Sequence, residues 1–213
     1  MLRNINSLIG CRMEATDGEI GKVEEFYFDD ETWTIRYLVL KTENWLTGRK
    51  VLIPPDALLK TPLKHGMFFV RETKNQIINS PNIDSDKPVS RQQEIELYGH
   101  YAWQGYWDSE FYGGGLGDLH LRSSRQVAGY HVHGTDGEIG HIVDFIIDDQ
   151  SWKLLFLVVD IHNDPGEKKV LIAVSQIKQM QWNEYEMYVD LLVAEIARSE
   201  VFDASAFVDV QIV

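Results

Sequence analysis

The feature that most constrains this chain is an internal repeat in which residue n recurs, without a gap, at n + 119. Leu8 to Trp33 reads LIGCRMEATDGEIGKVEEFYFDDETW, and Val127 to Trp152 reads VAGYHVHGTDGEIGHIVDFIIDDQSW. Thr16 to Gly21 is identical to Thr135 to Gly140. Gly10 meets Gly129, Phe26 meets Phe145, Asp29-Asp30 meets Asp148-Asp149, and Trp33 meets Trp152. The match runs on through Leu38-Val39 with Leu157-Val158 and Lys50 to Ile53 with Lys169 to Ile172. It then thins to single agreements such as Val70 with Val189. Ungapped agreement over most of two halves means repeated structure. Each copy, at roughly 80 to 90 residues, is long enough to fold without disulfide or metal staples.

Each copy reads as β. Leu8 to Ala15 and Tyr130 to His133 alternate apolar and polar at the strand period of two. Thr-Asp-Gly supplies a hairpin turn, because glycine takes positive φ without steric cost. Val23 to Phe28 is a second strand, and the aspartate pair after it suits a turn, since Asp side chains bond nearby backbone amides. A third strand follows the matching Trp, a fourth is Lys50 to Ile53, and Met67 to Arg71 is a fifth, with Met187 to Leu191 as its partner. Five or six short strands with frequent turns imply a small barrel. The expected fold is all-β: two tandem barrels, residues 1–84 and 120–213. They are joined by a linker at 85–119 with a helix at about 90–101, where Ser90 and Gln93 have capping-box spacing. Gly113 to Gly117 forms a flexible joint before the second copy.

An apolar-x-Gly, Asp-Gly-Glu-Ile-Gly-x-Val/Ile, an apolar strand, Asp-Asp and Trp follow in that order through Ile9 to Trp33 and again through Ala128 to Trp152. This pattern resembles the PRC-barrel family. Gln76 to Pro81 and Glu96 to Trp107 look like the tail of bacterial stand-alone members. The resemblance implies a β-barrel core of the kind found in the cytoplasmic domain of the photosynthetic reaction-centre H subunit and in the C-terminal domain of RimM. It implies a module that holds partners, and it brings no catalytic residues.

Charge narrows the partner. Thirty-three acidic against 20 basic side chains give a formal net charge of −13, which repels phosphate backbones and anionic lipid alike. The expected partner is a protein, with homo-oligomers compatible, and neither nucleic acid nor membrane insertion is expected. No run approaches the roughly 20 apolar residues of a spanning helix, and MLRNINSLIG lacks the apolar stretch of a signal peptide. The lone Cys11 forms no internal disulfide and reads as a small core residue. These features set the expectation of a cytoplasmic protein.

No nucleophile-elbow, zincin or P-loop pattern is present, and the adjacent carboxylates at Asp29-Asp30 point to opposite sides of a strand. The expectation is a non-enzymatic binding or assembly module without a cofactor. Two local features depart from the repeat. Tyr98, Tyr101, Trp103, Tyr106, Trp107, Phe111 and Tyr112 crowd the linker; they either pack it onto the barrels or form a binding surface. Trp103, Tyr106 and Trp107 are the candidate binding residues, and the crevice between the copies is the candidate surface. His131 and His133 share a strand face, with His141 on the next strand, where the first copy has Arg12, Glu14 and Lys22. Three imidazoles there are a candidate Zn²⁺ or Ni²⁺ set, and a metal- or small-ligand sensor is the alternative function.

Overall fold

The computed structural model describes residues 1–42, 50–59, 66–80, 91–103, 120–161, 168–199 and 201–204. Six strands belong to the first copy: β1 (Leu2–Asn4), β2 (Arg12–Ala15), β3 (Gly18–Asp29), β4 (Thr34–Thr42), β5 (Lys50–Ile53) and β6 (Met67–Phe69). Seven belong to the second: β7 (Leu121–Ser123), β8 (His131–His133), β9 (Glu138–Asp148), β10 (Lys153–Ile161), β11 (Lys169–Ala173), β12 (Ile177–Gln181) and β13 (Glu186–Val189). Among the described residues five α-helices accompany them: α1 (Ile5–Leu8), α2 (Lys74–Ile78), α3 (Arg91–Tyr101), α4 (Ser124–Val127) and α5 (Val193–Ala197).

The protein is mostly β, as the alternation predicts, but the pairing is not that of two separate barrels. One 13-stranded sheet runs through both copies in the order β12-β13-β8-β9-β10-β4-β3-β2-β6, with β1, β5, β7 and β11 paired off this path. Among the described residues its two ends do not pair with each other, so the sheet is not closed. Three pairings cross between the copies. β1 lies against β9, with Leu2 opposite Asp148 and Asn4 opposite Ile146. β7 lies against β3, with Leu121 opposite Asp29 and Ser123 opposite Tyr27. β4 meets β10 at Thr34 and Lys153. Every one of these pairings maps onto itself or onto another when 119 is added or subtracted. The two copies are therefore related by a pseudo-two-fold axis and exchange their first strands. Periodicity reports which face of a strand is buried, but not which strand lies beside it.

The repeated motif earns each of its residues in this arrangement. Thr16 N donates to Glu72 O at 3.0 Å, and Thr135 N to Leu191 O at 2.9 Å. Asp17 Oδ1 accepts from Lys74 N at 2.7 Å and Asp136 Oδ1 from Val193 N at 2.8 Å, so each aspartate caps the helix after the last strand of its own copy. Ile20 and Ile139 are buried in the core. At Gly21 a Cβ would lie 2.3 Å from the Lys41 carbonyl oxygen, and at Gly140 it would lie 1.8 Å from that of Asp160; only glycine lets the neighbouring strand approach so closely.

One apolar cluster fills both copies. Phe26, Phe28, Leu38 and Ile53 join Phe145, Ile147, Leu157 and Ile172 in it. Phe28 and Phe145 face each other across the copies with ring centroids 5.9 Å apart, and Phe68 packs on Trp152 at 6.2 Å. A second cluster lies on the outer side of the first copy's strands. There Leu97 and Tyr98 of α3 cover Tyr27, Tyr37, Val39, Leu52 and Leu121. Within it the Tyr37 hydroxyl donates to the fully buried Glu94 at 2.6 Å. Burial pushes the Tyr98 phenol up to about 12, outweighing the hydrogen bond with Tyr37, which lowers it.

The chain start differs from the alternating reading. Leu8 is the last residue of α1 rather than the first of a strand, and the strand begins at Arg12. The cause is tertiary: Asp144 of the second copy accepts from Asn4 Nδ2 at 2.9 Å and from Asn6 N at 3.0 Å, satisfying the first turn of α1 from outside. Met67 to Arg71 is likewise shortened, with β6 ending at Phe69. Cys11 is buried in the core, as expected, and burial raises its thiol pKa.

Candidate binding cleft between the copies

The aspartate pair after the second strand divides its work between turn and partner copy. Asp29 Oδ1 accepts from Thr32 N at 2.7 Å and from Thr32 Oγ1 at 2.8 Å, closing its own turn. Asp148 Oδ2 does the same with Ser151 N at 3.2 Å and Ser151 Oγ at 2.7 Å. The second aspartate reaches across, as Asp148 also does to the Met1 amine at 2.9 Å. Asp30 takes Arg122 Nε at 2.7 Å and His120 Nδ1 at 2.9 Å. Asp149 takes Arg3 Nε at 2.7 Å and the Met1 amine at 2.8 Å. Burial alone would raise the Asp29 and Asp149 carboxyls. The Thr32 and Arg36 donors around Asp29 outweigh that, as do the Met1 amine, Arg3 and Gln150 around Asp149, and both pKa values are lowered. The Ser151 hydroxyl, then the Met1 amine, lower that of Asp148.

Between these clamps the copies leave a cavity of about 370 Å³. Its first-copy side is Ile5, Asn6, Ile9 and Glu24; its second-copy side is Ser124, Arg125, Ala128, Val143, Asp144 and Phe145. Four pairs among these are repeat equivalents: Ile5 with Ser124, Asn6 with Arg125, Ile9 with Ala128, and Glu24 with Val143. The cavity thus sits on the pseudo-two-fold axis, yet its two walls differ in polarity or charge at three of these pairs and in size at Ile9 and Ala128. Ile9 remains exposed although it is a large apolar side chain. Arg125 Nη1 lies 3.5 Å from Glu24 Oε1, an ion pair joining the copies. Lys50 Nζ is 3.4 Å from Glu24 Oε2 without hydrogen-bond alignment, and that buried oxygen has no hydrogen-bond partner among the described residues. Asp144 is buried, which raises its pKa despite the donors Asn4, Phe145 N and Asn6 N. These bonds make it a tie between the copies.

The residues singled out from sequence fall in three places. Trp103 is turned inward: its Nε1 donates to Glu72 Oε1 at 3.0 Å, and its ring stacks on Tyr101 at 4.1 Å and meets Tyr98 edge-on at 5.7 Å. Tyr106 and Trp107 lie outside the described residues. His131 and His141 stand opposite each other on β8 and β9. His131 Nδ1 is engaged with Glu138 Oε1 at 2.8 Å, the place that Arg12 holds beside Glu19 at 3.8 Å in the first copy. His133 stacks on Tyr188 with centroids 5.0 Å apart. Among the described residues no three His, Cys, Asp or Glu side chains are grouped so as to hold a metal ion.

The cavity residues escaped sequence reading because none belongs to a chemical motif. The signal was nonetheless present, in the contrast between retained Leu8/Val127 and Gly10/Gly129 and the altered positions at Ile5, Asn6, Ile9 and Glu24 interleaved with or near them.

Together these features define a β-rich module of two like halves that meet around a shared apolar cleft. Residues 2–77 match the family model of the PRC-barrel domain, and that segment belongs to the PRC-barrel family. The repeat carries the same residue pattern into the second copy. No curated protein matches the chain. The PRC-barrel domain points in general to a non-catalytic module, and among the described residues no helix is long and apolar enough to cross a membrane.

Proposed function

We propose that this protein is a non-enzymatic binding or assembly module for a protein partner in the cytoplasm. In this reading its two copies are PRC-type barrels opened onto one another. The observation that carries it is the cleft: an apolar cavity on the pseudo-two-fold axis, with unlike walls and an exposed Ile9. Symmetric contacts serve the fold, whereas asymmetric ones at the same axis have no structural need to differ. The size and lining suit an apolar side chain of a partner. Glu24 and Arg125 at the mouth would then orient polar groups on either side of it. The net charge of −13 favours a basic surface around that side chain.

The test is crosslinking with mass spectrometry on the full chain in cell lysate, comparing wild type with Ala128→Trp, which fills the cleft from an exposed position. The expected result is a reproducible partner whose crosslinks cluster around Ile9 and Arg125 and vanish in the variant. Crosslinks that lie elsewhere, or that survive in a folded Ala128→Trp protein, would overturn the reading.

A further inference from the structure

The contact between the copies has the form of a dimer interface enclosed in one chain. The strand pairings between the copies and the bonds that clamp them have equivalents 119 residues away. Arg3 with Asp149 matches Arg122 with Asp30, both at 2.7 Å. Asn4 with Asp144 matches Ser123 with Glu25. Ile35 N donates to Trp152 O at 2.8 Å, and Leu154 N to Trp33 O at 2.7 Å, around the Thr34–Lys153 pair on the axis. An interface in which i meets j and j meets i is isologous, the form taken by two-fold homodimers. None of these contacts depends on the covalent link between the halves.

We propose that this surface is a self-complementary docking surface whose fitting partner is the corresponding half of a second copy of this chain. Copy one of one molecule then pairs with copy two of another, through the same strand exchange and the same two Arg–Asp clamps. In an intact chain the covalent link raises the effective concentration of each half for the other, so the self-paired monomer prevails in dilute solution. The exchanged homodimer is its concentration-dependent alternative.

The experiment uses the full chain with a protease site inserted between Gly114 and Gly115, purified folded and then cut. Unlabelled and ¹⁵N-labelled cut proteins are unfolded together in urea, refolded and weighed by native mass spectrometry. The expected result is 1:1 complexes of the halves, about half of them carrying mixed label. Asp30→Arg should weaken the complex at least tenfold, and adding Arg122→Asp should restore it by reversing the clamp. Halves that part into monomers, or that fail to refold when the uncut chain does, overturn the proposal. So does an Asp30→Arg protein that holds together as tightly as the wild type.

Discussion

Thr34 and Lys153 hold the same position in the two copies and stand directly opposite each other where β4 meets β10. A residue can face its own repeat equivalent only on a two-fold axis. That pairing fixes the relation of the halves, and the clamps, the shared core and the cleft follow from it.

The two Arg–Asp clamps are unequally buried. Arg3 is almost wholly buried, whereas Arg122 is 26% exposed. Removing one member of a desolvated pair leaves the other uncompensated. Arg3→Ala is expected to cost about 2–3 kcal/mol and Arg122→Ala about 1–2 kcal/mol, because the Arg122 side chain is the better solvated while each aspartate keeps a second cation, the Met1 amine or His120. Urea unfolding midpoints at constant slope would measure both. Equal costs would mean that burial does not set the strength of the clamp.

Two kinds of glycine recur in the repeat, and alanine separates them. At Gly140 a Cβ would overlap the Asp160 carbonyl, which is backbone and has no room to move. Gly140→Ala should therefore cost about 3 kcal/mol or more by forcing β9 and β10 apart. At Gly129 the backbone has φ +96° with nothing within 4 Å of the added carbon. Gly129→Ala should carry only the conformational penalty, about 1–2 kcal/mol. Thermal unfolding of the two variants checks the order.

Acid should loosen the fold through the turn and clamp aspartates. Asp29, Asp148 and Asp149 have lowered pKa values. Their contribution is complete above the ordinary carboxylate value, about 3.9, and is lost as pH falls through the folded values. Asp149→Asn should flatten that loss. Asp144 has the opposite sign, because its pKa is raised by burial. Its contribution is full below the ordinary value and falls as pH rises through the folded one. Wild type should therefore gain stability over Asp144→Asn as pH drops from 7 towards 4. Urea midpoints across that range test the sign.

Trp103 ties the linker helix to the first copy through Glu72, whose Oε2 has no hydrogen-bond partner among the described residues. Trp103→Phe keeps the ring but leaves the buried carboxylate without its donor. A cost of about 1–3 kcal/mol is expected. Tyr37→Phe should likewise remove a donor from the buried Glu94 near the other end of the helix. A Trp103→Phe protein of unchanged stability would show that the indole N–H does not anchor the linker.

The sequence by itself determined the repeat, the strand faces and the turn after each aspartate pair. These are local demands. Two-residue alternation and Asp side-chain bonding act within a few residues, so the chain shows them directly. It also showed where the copies differ, and the outward histidine face was one such place. Which strand lies beside which was decided only by the tertiary structure. So was the second role of Asp30 and Asp149, because an Asp-Asp pair closes a turn equally well whether or not an arginine arrives from the other copy. The cleft belongs to the same class. Ile9, Glu24 and Arg125 are far apart or unremarkable in the chain, and they become one surface only because a two-fold axis folds the repeat onto itself.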